Sequence, residues 1–160
     1  MWFFMISSYI LSLITFVMLF LMLMQGYMPK MFLPIPPLVF LIYTSIVYFF
    51  TETLIIFFFV GTGVSVRDYS KEKNLSDEYR KKSLAIKYRL YPPTMLNLLF
   101  MIILFVLPGA VHTGKLPWIV YQYYFVFCLW HFVYTSVIQH KCFRDNTENI
   151  LSMSGITRTT

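Results

Sequence analysis

Charge is what this sequence has least of: only 12% of its 160 residues are Asp, Glu, Lys or Arg, where a soluble domain carries about a quarter. Too few polar side chains remain to coat a water-facing surface, so a soluble globule is excluded. Cysteine is nearly absent as well. Cys128 and Cys142 are the whole supply and fall on one expected helix and its end, so no disulfide scaffold is available. Alanine is confined to Ala85 and Ala110 and no GxxxG pattern occurs, which argues against self-dimerisation through small-residue helix faces. Acidic residues number 7 against 13 Lys and Arg, but acids are interleaved among the bases, so nucleic acid is not an expected partner. No basic residue precedes the first apolar stretch, which is therefore read as retained and not as a cleaved signal.

What is present is apolar and aromatic. Hydrophobic residues make up 58% of the chain, Phe, Tyr and Trp together 20%, and the mean hydropathy is +0.66. Disorder is excluded by the same figures. A helix needs roughly 20 apolar residues to cross a hydrocarbon core of about 30 Å, and four stretches qualify, at about 3–24, 38–60, 94–112 and 117–139. Proline and glycine punctuate them. Pro34, Pro36 and Pro37 suit the start of the second span, and Gly61-Thr62-Gly63 suits its end. Pro92-Pro93 opens the third stretch, Pro108-Gly109 closes it, and Pro117 belongs to the first turn of the fourth. The expected fold is an all-α integral membrane four-helix bundle.

Orientation follows from the bases. Arg67, Lys71, Lys73, Arg80, Lys81, Lys82, Lys87 and Arg89 lie between spans two and three, and Lys141, Arg144 and Arg158 follow span four; Lys30 and Lys115 alone fall on the other side. Both termini are thus expected on the cytoplasmic or matrix side of a bacterial or organellar inner membrane. The linker 67–91 reads as a basic interfacial segment with a short helix after Asn74-Leu75-Ser76-Asp77-Glu78. Arg80, Lys81, Lys82, Lys87 and Arg89 are its candidates for contact with anionic lipid headgroups, at about 1 kcal/mol each.

Inside the spans Glu52 is the one formally charged residue, and a bilayer-centred carboxylate costs at least about 2.5 kcal/mol unless paired or neutral. At 1.5 Å per residue it lies about 14 Å from the inner end of span two, and His131 lies about 12 Å deep in span four. Equal depth makes Glu52 and His131 an expected contact pair. Tyr121, Tyr124, Cys128, His131 and Thr135 share one helical face, Ser45, Tyr48 and Glu52 another, and Ser8, Ser12 and Thr15 a third. The expected seam therefore joins spans one, two and four. Span three, with Thr94 and Asn97 near the inner surface, is placed outside it.

Function is less determined. One His and one Glu are too few for a zinc or di-iron site, and no nucleophile, base and orienting group fall into a motif. His131 is the single weak metal candidate, since His112 and His140 lie at span ends. The leading expectation is a small non-catalytic subunit of a larger membrane complex, respiratory electron transport being one host, with the lipid bilayer and other membrane subunits as partners. A redox anchor holding haem b or quinone through His131 is the alternative. A proton-coupled carrier or small homo-oligomeric channel using Glu52 and His131 is a third.

Overall fold

The computed structural model describes residues 2–27 and 34–155, and Lys30 and Arg158 lie outside the described residues. Among the described residues it is all-α, with four helices: α1 (Trp2–Tyr27), α2 (Pro37–Glu72), α3 (Glu78–His112) and α4 (Trp118–Met153). Successive helices pack side by side and α4 closes back onto α1, forming a four-membered ring. Short connections between α2 and α3 and between α3 and α4 force neighbours to run antiparallel. Glu72, Glu78 and Met153 consequently share one end of the bundle, where Asn149 Nδ2 donates to the Tyr79 carbonyl at 3.1 Å. Three helices, α1 from Phe3, α2 and α3, are long and apolar enough to cross a membrane.

The helices outrun the expected spans. Gly61 and Gly63 do not end α2, which continues to Glu72. Glycine inside a helix costs only about 1 kcal/mol, and tertiary packing on both sides outweighs it here. Pro92, Pro93 and Pro108 do not bound the third helix either; all three lie inside α3. The prolines at 92 and 93 deprive the Tyr88 and Arg89 carbonyls of helical N–H donors. Both residues are exposed, so solvent or headgroups can serve those carbonyls. The segment 67–91 is accordingly not a loop with a short helix. It is the end of α2, a tight turn in which Asn74 takes a φ of 49°, and the first turns of α3.

At 1.5 Å per residue α2, α3 and α4 each measure about 53 Å and α1 about 39 Å. Among the described residues α1 reaches only the level of Phe58, beyond which α2, α3 and α4 continue with a groove of about 610 Å³ beside Gly61, Ser65 and Met153. Two apolar clusters fill the interior. One gathers Leu19, Phe40, Tyr48, Met101, Leu104, Phe125 and Phe132, and the other Ile55, Phe59, Leu90, Cys142 and Phe143. A polar layer separates them.

Candidate polar centre of the bundle

Glu52 occupies the middle of that layer and is only 1% exposed. Its helix α2 also carries Tyr48 and Thr51 on the inner face. Asn97 from α3 is fully buried beside it, and Thr94, one turn earlier, shares that face. From α4 come His131, Thr135 and Gln139, spaced by four residues so that all three point inward. Hydrogen bonds join the set. Asn97 Nδ2 donates to the Tyr48 hydroxyl at 2.9 Å and to Glu52 Oε1 at 3.3 Å. Gln139 Nε2 donates to Glu52 Oε2 at 2.8 Å. Asn97 Oδ1 meets His131 Nδ1 at 3.1 Å, and Thr135 Oγ1 lies 3.4 Å from the same nitrogen. With the Asn97 amide placed this way, His131 must donate from Nδ1. A separate contact ties α1 to α2, where the Thr15 and Thr51 hydroxyls meet at 3.1 Å.

Glu52 and His131 therefore share a network and are joined through the Asn97 carboxamide, with no direct hydrogen bond between them among the described residues. The seam itself also differs from expectation. Helix α3 stands between α2 and α4, and Asn97 and Thr94 lie at its core, not at the inner surface. The reason is local: Glu52 meets α4 directly at Gln139, two turns from His131, and Asn97 from α3 fills the space between Glu52 and His131. Of the remaining expected seam residues, Tyr48, Thr15, Cys128 and Thr135 are buried. Ser45 instead donates to the Ile42 carbonyl of its own helix at 2.8 Å, and Ser12 is half-buried beside a shallow pocket. Tyr124 is half-buried and donates to the Phe100 carbonyl at 3.1 Å, which Cys128 Sγ also approaches at 3.7 Å. Sequence reasoning missed Gln139 because it marked the end of span four. Its spacing of i, i+4, i+8 from His131 and Thr135 was the available signal.

The arrangement constrains chemistry. A carboxamide passes on a hydrogen bond but not a proton, since its NH2 would first have to become an imidic acid. The one chain of contacts from Glu52 to His131 is thus a poor proton wire. Haem fits no better. His131 is packed edge-on against the Phe100 ring at 4.9 Å, and the cavity at its level, of about 440 Å³ beside Phe132 and Val133, is lined by other residues. The other described histidines are far from its depth; His140 pairs with Tyr9 at 2.8 Å and His112 is the last residue of α3. Among the described residues no group of three or more His, Cys, Asp or Glu could hold a metal ion.

The basic residues lie on helices that project from the bundle. Arg80, Lys81 and Lys82 are exposed on the first turns of α3. Arg89 pairs with Asp145 at 2.8 Å, an exposed bridge contributing no more than about 1 kcal/mol. Lys87 crosses to α2 and lays its ammonium against Gly63. Burial there, with the nearby Arg67 charge adding to it, holds the Lys87 amine below the ordinary lysine range. Compared with known proteins, the chain matches no protein-family model, no curated protein sequence and no solved structure.

Proposed function

We propose that this chain is an integral membrane, non-catalytic subunit of a larger membrane complex, crossing the bilayer four times with both termini and the α2 to α3 turn on the positive, cytoplasmic or matrix side. The observation that carries the reading is the complete engagement of Glu52, whose two oxygens take amide donors from α3 and α4. The one carboxylate expected at bilayer depth is thereby occupied in fastening α2, α3 and α4. What the chain offers to its surroundings is apolar surface, including Ile10, Leu13, Val17, Ile46, Phe50, Leu99 and Ile103.

Membrane crossing by α4 rests on its pattern and not on its average. From Trp118 to Val137 every exposed residue is apolar or aromatic, while Gln122, His131 and Thr135 are buried. That exposed stripe is about 29 Å long, against a hydrocarbon core of about 30 Å. Polar groups turned inward lower the mean hydropathy without touching lipid. Below the stripe come Lys141 and Arg144, as Arg67 does on α2.

The test is purification of the tagged chain from its native membrane in mild detergent, with blue-native electrophoresis and mass spectrometry. A subunit runs in a larger assembly together with membrane partners. A chain that migrates alone and conducts ions or protons in liposomes sinks the proposal in favour of a carrier or channel.

A further inference from the structure

At the bundle end opposite the α2 to α3 turn a cavity of about 380 Å³ lies among the helices, within the range of small-molecule sites. Met, Leu and Pro side chains together with Trp118 and Tyr121 make up most of its wall; Gln25 and His112 supply polar groups, and no Lys, Arg, Asp or Glu lines it. Beside it Gln122 is 2% exposed, yet neither Oε1 nor Nε2 has a hydrogen-bond partner among the described residues. The amide lies against Gly26 and next to Trp118, both of which line the cavity, and a Cβ at position 26 would collide with its nitrogen. Gln25 donates from Nε2 to the Ile35 carbonyl at 3.3 Å but leaves Oε1 buried and unpartnered among the same residues. Pro108, in the same wall, deprives the Leu104 carbonyl of its helical donor. Buried polar atoms without partners carry a desolvation penalty that a native fold rarely tolerates without a ligand or water to relieve it.

We propose that this cavity binds an uncharged amphiphile whose head group bears a hydroxyl. The charge follows from the lining, which has no ion to pair with. The hydroxyl follows from the unpartnered atoms: Gln122 Nε2 needs an acceptor, while Gln122 Oε1 and Gln25 Oε1 each need a donor, and a hydroxyl accepts and donates once, so that a head group with two serves all three atoms. A head group that only accepts, such as an ester or a quinone, leaves both Oε1 atoms unserved. The tail lies along Leu38 and Leu41, and Leu38 is exposed on the outer face, giving access from the bilayer. A glycerol lipid and a membrane hydroquinone share this chemistry.

The test uses the full chain in nanodiscs, with Trp2→Phe and Trp130→Phe so that Trp118 is the only reporter. Trp118 fluorescence is followed during titration with 1-monooleoylglycerol, with methyl oleate, and with a short-tailed hydroquinone and its quinone. A saturable response to 1-monooleoylglycerol or to the hydroquinone is expected, and the tighter of the two identifies the source. That compound should bind at least about tenfold more tightly than its hydroxyl-free counterpart, and Gln122→Leu should weaken it by at least about tenfold. Gln122→Leu should melt no lower than its parent, which separates lost binding from lost folding; should it not fold, Gly26→Ala displaces the same amide. Equal binding of the hydroxyl-free compounds, or unchanged binding by the Gln122 variant, overturns the proposal. No saturable response to either hydroxyl compound also overturns it and assigns the cavity to water.

Discussion

At the scale of single residues the polar layer distinguishes members that hold the bundle from members that merely sit in it. Glu52 accepts on both oxygens. Glu52→Gln keeps the shape but opposes one NH2 to a neighbouring NH2, a clash that a flip of the Gln139 amide relieves. The expected loss is on the order of 1 kcal/mol in unfolding of the detergent-solubilised chain, with assembly of the complex intact. Intact assembly with more than about tenfold loss of host turnover, about 1.4 kcal/mol on the barrier, would instead place chemistry in this layer. Asn97→Leu should be the more damaging change, about 3 kcal/mol, because it strips a partner from Glu52, Tyr48 and His131 together. If Asn97→Leu proves no worse than Glu52→Gln, Asn97 is not the bridge described. Of this site, the sequence revealed the depth of Glu52 and His131 but not the residue between them. A buried charge announces itself by its cost in an apolar segment, whereas an asparagine becomes central only through the arrangement of helices around it.

Elements were legible in number and kind because each apolar stretch is long and strongly patterned. Their ends were not, because glycine and proline are read as breaks through local energies of about 1 to 3 kcal/mol that packing along a helix of about 36 residues can exceed. Gly61 tests this. It lies in the interior of α2 and a Cβ there would enter open space, so Gly61→Ala should stabilise the fold by up to about 1 kcal/mol in thermal unfolding. A glycine that ended the helix in a left-handed turn would give the opposite sign. Gly63 adds a contrast, since a Cβ there meets the end of the Lys87 side chain and must push the ammonium outward. Lys87 also predicts a pH dependence. Its amine is held below its unfolded value, so the unfolded chain binds that proton more tightly, and stability should rise with pH between the folded value and the ordinary lysine value of 10.5. Lys87→Gln should abolish that segment of the pH profile. An unaltered rise in the variant would assign it to another group.

For the whole molecule the deciding quantity is the distribution of charge between two ends that the antiparallel ring makes distinct. The turn end carries Arg67, Lys71, Lys73, Arg80, Lys81, Lys82, Lys87, Arg89, Lys141 and Arg144, while Lys115 is the one described base at the other. Lys and Arg close to membrane spans resist translocation, so the turn end should remain on the side of synthesis. Cysteine labelling by a membrane-impermeant maleimide in intact cells or organelles reads this directly. The background is low, because both native cysteines are fully buried and burial, its main cause, pushes the Cys142 thiol up to about 11, leaving little reactive thiolate. Ser76 in the α2 to α3 turn and Lys115 in the α3 to α4 turn are both exposed, so folding should not mask either probe. Lys115→Cys should label from outside, and Ser76→Cys only after the membrane is permeabilised. The reverse pattern would invert the molecule. Labelling of both positions without permeabilisation would mean that α3, which joins them, does not cross the bilayer, and the polar centre of the bundle would then need an explanation in water.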